Sequence, residues 1–254
     1  MRLTIDTDAL TMVLDENGKR ETIELYSKRA FEIISHWWLK VGWNEKYTYA
    51  FTWLGRPIIQ LPEDMFRLQE VIYRVKPDVI IETGIAHGGS LVFVAAICRS
   101  IRRGRVIGVD IELRPHNREA LECHELADLI TLVEGDSVEP AVVRRVKSSL
   151  NKGETALVLL DSKHTKEHVM RELEAYHDLI SPGSYLLVAD GIMQDFSDVP
   201  RGRSQWLWDN PAAAVRDFLA GHPEFVLEIP PRIFNESQLT ENVTYWPGAW
   251  LRRV

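Results

Sequence analysis

Between residues 79 and 191 the chain repeats one pattern five times: a short apolar run that closes on an acid, then a stretch with apolar residues at helical spacing. The runs are VIIETG, RVIGVDI, ITLVEGD, ALVLLDS and YLLVADG, and between them lie SLVFVAAICRSI, NREALECHEL, VEPAVVRRVKSSL and HTKEHVMRELEAYHDLI. A strand with one wet face alternates polar and apolar residues. These runs do not alternate, so both of their faces must be covered. Strands of this kind joined by helices predict a mostly parallel sheet with helices on both sides, the doubly wound α/β architecture.

Before Asp78 the pattern changes. YSKRAFEIISHWWLKVGW and DMFRLQEVIYRV carry apolar residues at helical spacing, and Trp37, Trp38, Trp43 and Trp53 gather there. We therefore expect a helical, aromatic-rich N-terminal extension over residues 1–75, acting as a pocket cap or an oligomerisation surface, and the α/β domain over 76–254. FVLEIPP and VTYWPGAWLRR predict a C-terminal antiparallel strand pair, interrupted at Pro230-Pro231 and Pro247-Gly248. A chain of 254 residues can bury such a core as one large domain.

Composition excludes several partners. Asp and Glu number 37 against 30 Lys and Arg, a net charge of -7 with no basic stripe, so no nucleic-acid partner is expected. MRLTIDTDAL lacks a basic-then-apolar signal, and no apolar run approaches the ~20 residues of a membrane span. Cys98 and Cys123 lie in helical stretches and suggest neither a disulfide framework nor a cysteine zinc site. Together these features predict a soluble cytoplasmic protein with a small-molecule partner.

In a doubly wound sheet, ligands bind beyond the carboxyl ends of the strands, where strand order reverses. The residues there are Glu82, Asp110 with Glu112, Asp136, Asp161 and Asp190. Any one of them is as readily explained as a cap on the following helix; five in succession are not. Glu82 opens the loop ETGIAHGGS, in which Gly84, Gly88 and Gly89 bare the backbone for a ligand, His87 adds a polar group and Ser90 begins a helix. A dinucleotide loop reads G-x-G-x-x-G. Here the order is G-x-x-x-G-G behind a carboxylate, which repels a pyrophosphate but can hold an ammonium group, and a nicotinamide-dependent reductase is disfavoured. Asp110, followed by Ile111, stands where a ribose diol is usually gripped, and Asp136 with Ser137 can reach an adenine amine. A nucleoside with a cationic amino-acid tail satisfies all three demands, and that is S-adenosylmethionine.

The motifs ETGIAHGGS, GVDI, EGDS, LLDSKHT and VADG resemble class I S-adenosylmethionine-dependent methyltransferases. With WDNPAAAVRDFLAGHPEF they are most similar to the cephalosporin hydroxylase/rhamnosyl O-methyltransferase family, over roughly residues 70–253. The resemblance implies the Rossmann-like methyltransferase sandwich and methylation of a hydroxyl on a sugar or other natural-product scaffold, including antibiotics. It also implies Mg²⁺ in several members, leans towards a homo-oligomer, and does not imply oxygenase chemistry. The donor is expected to lie against Glu82, Gly84, His87, Gly88, Ser90, Asp110, Ile111, Asp136, Ser137 and Asp161.

Asp161 and Asp190 end consecutive strands and can converge above the sheet. Oxygen ligands suit Mg²⁺, which would orient a diol and acidify the hydroxyl to be methylated. The layout resembles catechol O-methyltransferase, in which the equivalents of these two aspartates are metal ligands. The residue after the second aspartate is an asparagine ligand there and Gly191 here, so Asp195, Asp198 or a water is left to complete the shell. Methyl transfer needs a positioned oxygen and removal of its proton. His164, three residues past Asp161, is the expected general base, since histidine ordinarily exchanges protons near working pH; His168, Lys163 and His87 are its rivals. The loop IMQDFSDVPRGR is a candidate lid, and Trp206 and Trp208 are either an acceptor wall or core. The reading is an S-adenosylmethionine-dependent, Mg-assisted O-methyltransferase for a small hydroxylated acceptor. The alternative, favoured by Gly191, is a donor-binding subunit without turnover that supports a partner enzyme.

Overall fold

The structure is a computed structural model and describes residues 1–237 and 239–254. The chain opens with an antiparallel meander, β1 (Arg2–Asp6), β2 (Thr11–Glu16) and β3 (Lys19–Glu24). It continues through α1 (Lys28–Asn44), a short hairpin of β4 (Thr52–Trp53) and β5 (Arg56–Pro57), and α2 (Pro62–Val75). The repeat follows as β6 (Val79–Thr83), α3 (Gly89–Ile101), β7 (Arg105–Asp110), α4 (Pro115–Glu122), β8 (Ile130–Glu134), α5 (Pro140–Ser148), β9 (Ala156–Leu160), α6 (Lys166–Tyr176) and β10 (Tyr185–Val188). Last come α7 (Pro211–Gly221), β11 (Phe225–Leu227) and β12 (Trp250–Arg253).

The N-terminal extension, expected to be helical, is helical only from Lys28 onward. TMVLDE and KRETIE pair across Asn17-Gly18, both at positive φ (51° and 75°), the backbone that a tight two-residue hairpin turn requires. Met12 and Ile23 stand opposite each other and close a small separate core with Ala30 of α1.

The main sheet has the order β11-β12-β10-β9-β6-β7-β8, with β8, β7, β6, β9 and β10 parallel and the two C-terminal strands antiparallel, as the sequence predicts. Ile80, Val106, Leu157 and Leu187 point to the face covered by Leu68, Ile72 and Leu91 of α2 and α3. Ile81, Ile107, Val158 and Leu186 point to the face covered by Val146, Leu173 and Phe218 of α5, α6 and α7. Successive residues of each run thus bury on opposite faces, each worth about 1.5–3 kcal/mol, and this is why the runs do not alternate. The chain travels outward from β6 to β8 and then returns to β9, so the carboxyl ends of β6 and β9 lie side by side at the switch point. No helix among the described residues is long and apolar enough to cross a membrane.

Asp64, in the first turn of α2, ties the C-terminal segment to the extension. It is buried, accepts from the Tyr245 N–H at 2.9 Å, and accepts from the Thr244 hydroxyl. The Tyr245 hydroxyl in turn donates to the Leu39 carbonyl at 3.1 Å, and its ring meets Trp43 edge-on at 5.1 Å. Burial pushes the Asp64 carboxyl from 3.8 up to about 8, against the two hydrogen bonds. The folded chain therefore keeps a proton that the unfolded chain releases from pH ~4 upward. Its stabilising contribution is complete at low pH and is lost as pH rises towards 8. Asp64→Asn is expected to remove about 2–4 kcal/mol of the fall in stability between about pH 5 and pH 8, read as a flatter dependence of Tm on pH. An unchanged slope in the variant contradicts this account.

Candidate active site

The site is built on two chain crossings that only glycine permits. Gly84, directly after β6, has φ 87°, and a Cβ there would stand 2.1 Å from the carbonyl oxygen of Asp161 and 2.9 Å from Ser162 Cα. Gly89, opening α3, would place a Cβ 2.2 Å from the carbonyl oxygen of Pro57, so its bareness lets β5 close over the helix. Both glycines also line the cavity, so their bareness serves the packing of backbone on backbone as well as the expected room for a ligand. Gly88 packs on Leu121 and lies outside the cavity wall.

Side chains hold the loop from outside. Asp110 Oδ2 accepts from the N–H groups of Ile85 (2.7 Å) and Ala86 (3.1 Å), and Asn117 donates to the Ala86 carbonyl at 3.0 Å. Arg56 donates to the His87 carbonyl from Nε (3.0 Å) and Nη2 (2.7 Å), with Nη2 also reaching Asn117 Oδ1. Asp110, expected as a ribose ligand, is thus also the residue that shapes the glycine loop.

A cavity of about 480 Å³ opens above the switch point. Gly84, His87 and Ser90 line it from the loop, Asp110 and Ile111 from the end of β7, and Asp136 and Ser137 from beyond β8. Asp161 and His164 line it from beyond β9, and Asp190 from beyond β10. Glu82 does not reach it. Its side chain is fully buried beneath the loop, Oε1 accepts from the Ser90 hydroxyl, and burial pushes the carboxyl up to about 8. Glu82 is a neutral acid under the floor at neutral pH, which corrects its expected role as the ammonium's counter-ion. The cause is register: Glu82 follows Ile80 on the face that α3 covers.

Asp161, His164 and Asp190 meet at one wall, with side chains 16%, 29% and 22% exposed. His164 Nε2 lies 3.5 Å from Asp190 Oδ2 and 3.9 Å from Asp161 Oδ1, and one ligand atom from each residue falls within 4.8 Å of the others. Gln60 Nε2 donates to Asp161 Oδ2 at 2.6 Å. Burial first, and then the nearby carboxyl of Asp190, hold the Asp161 carboxyl well above its ordinary range; burial raises Asp190 too, with His164 opposing. Asp190 itself sits at φ 58°, a left-handed conformation costing a non-glycine residue roughly 1–2 kcal/mol. Two carboxyls crowded in this way fit a hard divalent cation, which would supply the missing counter-charge.

Gly191 departs from the catechol O-methyltransferase pattern for a packing reason: a Cβ there would stand 2.5 Å from the Pro247 carbonyl oxygen, so no asparagine fits. Neither expected substitute takes its place. Asp198 pairs with Lys40 Nζ at 2.6 Å, and neither it nor Asp195 lines the cavity. His168 belongs to a different network, with Nε2 3.2 Å from Ser137 Oγ, and Ser137 and Ser162 both donate to Glu172 at 2.6 and 2.7 Å. Trp206 packs on Trp43 at 6.1 Å and Trp208 is exposed; neither lines the cavity. Tyr49, Ile59 and Gln60 do line it, although no motif or periodicity in YTYAFTWLGRPIIQ marks them.

A family model described as Rhamnosyl O-methyltransferase/CmcI matches residues 45–254. The chain is 28% identical over 152 residues to a rhamnosyl O-methyltransferase of Mycobacterium leprae (strain TN), covering 59% of this chain and 64% of that one. It is 30% identical over 142 residues to a rhamnosyl O-methyltransferase of Mycobacterium tuberculosis (strain CDC 1551 / Oshkosh), covering 55% and 56%. The match spans less than two thirds of the length of either relative. The fold is shared with CmcI in its Mg-SAM structure, at TM-score 0.53, 17% identity and 81% and 77% coverage. It is also shared with the MycE methyltransferase of the mycinamycin biosynthetic pathway in complex with Mg, SAH and mycinamycin VI, at TM-score 0.51, 16% identity and 94% and 67% coverage.

Proposed function

The chain belongs to the Rhamnosyl O-methyltransferase/CmcI family, and on that premise we propose that it methylates a hydroxyl of a small acceptor, a sugar or a sugar-bearing natural product. S-adenosylmethionine is the donor and Asp161 and Asp190 hold a divalent cation. The observation that carries this reading is the meeting of Asp161, His164 and Asp190 at one wall of a cavity whose other end is lined by Asp110, Ile111, Asp136 and Ser137. The Mg and SAM or SAH in the names of the CmcI and MycE structures agree with the cofactor assignment.

Bound S-adenosylmethionine would supply an electrophilic methyl carbon, whose bond to sulfur breaks to give a neutral thioether as the bond to the acceptor oxygen forms. The cation would orient neighbouring acceptor oxygens and make the reacting hydroxyl more acidic. The chain's own residues do the rest. His164 takes the hydroxyl proton at Nε2, the atom that faces both carboxyls, and Asp190 at 3.5 Å steadies the charged ring that results. Gln60 holds the Asp161 carboxyl in place, and Tyr49, Ile59 and Gln60 of the extension line the cavity, which supports the extension's role as a cap.

His164→Gln is expected to lower kcat by about 10²–10⁴-fold with donor affinity unchanged. A second reading is favoured by the 4.8 Å cluster, in which His164 is the third metal ligand. The Mg²⁺ concentration for half-maximal activity separates the two. It stays constant in the variant if His164 is the base and rises at least about tenfold if it is a ligand. Full activity in the variant excludes both. Donor binding without product from any hydroxylated acceptor would instead favour the supporting-subunit alternative.

A further inference from the structure

A second cluster of ligating side chains lies where α6 and α7 end, at the sheet edge remote from the cavity. Glu174 is in the last turn of α6, His177 follows it, and His222 follows α7; none of them lines the cavity. We propose that Glu174, His177 and His222 bind a divalent transition metal of the zinc class. One ligand atom from each lies within 4.8 Å of the others, His222 Nε2 is 3.6 Å from Glu174 Oε2, and the two imidazole rings are 4.8 Å apart between centroids.

The hydrogen bonds around the two rings carry the argument. His177 Nδ1 lies 3.1 Å from the Glu174 carbonyl oxygen, and His222 Nδ1 lies 2.9 Å from the Phe218 carbonyl oxygen. A carbonyl oxygen can only accept, so Nδ1 carries the proton in each neutral ring and Nε2 is left with its lone pair. A backbone carbonyl on the far nitrogen is the arrangement that fixes tautomer and ring direction in metal-binding histidines. His222 is fixed further by stacking on Phe218 at 3.8 Å and 13°. Ligand atoms around tetrahedral zinc stand about 3.3 Å apart. His222 Nε2 and Glu174 Oε2 are already near that spacing at 3.6 Å; metal binding would draw the three ligand atoms together from within 4.8 Å, with the exposed Glu174 side chain the freest to move and a fourth position left to water. Two imidazoles and one carboxylate select Zn²⁺, Co²⁺ or Ni²⁺ over Mg²⁺, the reverse of the preference of Asp161 and Asp190. Such an ion would clamp the end of α6 to the end of α7.

The test is a Co²⁺ titration of the full chain in excess Mg²⁺, followed by visible absorption, on wild type, His222→Ala, Glu174→Gln and, as a control on the cavity, Asp161→Ala. Wild type and Asp161→Ala are expected to bind one Co²⁺ that His222→Ala and Glu174→Gln lose, that Zn²⁺ displaces and that Mg²⁺ does not. Zn²⁺ should also raise the Tm of wild type and not that of Glu174→Gln. If His222→Ala unfolds because its ring packs on Phe218, Glu174→Gln decides, since its side chain faces water. Equal Co²⁺ binding in wild type and Glu174→Gln, or no binding at millimolar metal, overturns the proposal.

Discussion

Gly84→Ala is expected to lower stability by about 3 kcal/mol or more and to abolish donor binding. The new Cβ would stand 2.1 Å from the carbonyl oxygen and 2.6 Å from the carbonyl carbon of Asp161, and both are backbone atoms that no rotamer change can move. Relief requires prising the end of β6 from the end of β9, where the Asp161 N–H donates to the Thr83 carbonyl at 3.0 Å. Gly153→Ala is the matched control. Gly153 has nearly the same φ, 89°, but nothing within 4 Å of its added Cβ, so it carries only the left-handed penalty of about 1–2 kcal/mol. Denaturant unfolding of both variants isolates the crossing. Equal losses for Gly84 and Gly153 would show that β6 and β9 do not meet as described.

Asp161→Ala is expected to reduce methyl transfer by about 10³-fold or more while leaving Tm unchanged or higher. On the proposed chemistry the loss follows from removing one of the two carboxyls that would hold the cation at the reacting oxygen, an electrostatic contribution of several kcal/mol. The stability effect has the opposite sign because the carboxyl is penalised by burial and by its neighbour Asp190. Removing it also relieves Asp190. Asp161→Asn, which still accepts from Gln60 Nε2, should lose activity almost as fully, since what it lacks is charge and not the hydrogen bond. An active Asn variant, or a large drop in Tm for both, would make Asp161 a structural residue.

The sheet was legible because its chemistry is local. Five non-alternating runs needed cover on both faces, and the acids that close them belong to strand ends, so Asp110, Asp136, Asp161 and Asp190 arrive at one cavity. Position at a strand end does not place Glu82, because register decides its face: the period of two that joins it to Ile80 sends it under α3. The N-terminal meander also has a local signal, the Asn17-Gly18 turn, but the strands on either side of it bury too little to show a period of two. Other features could not be read locally. Gln60 meets Asp161 across 101 positions, and Gly191 is bare because Pro247, far along the chain, closes over it. Both depend on how the extension and the C-terminal segment pack around the sheet.

Calorimetric titration of S-adenosylmethionine into the purified protein, with and without Mg²⁺, on wild type and on Asp161→Ala, tests the central claim most directly. The account predicts donor binding to wild type and a Mg²⁺ effect on that binding that disappears in the variant. Absence of donor binding under every condition, or the same Mg²⁺ effect in both proteins, would contradict it.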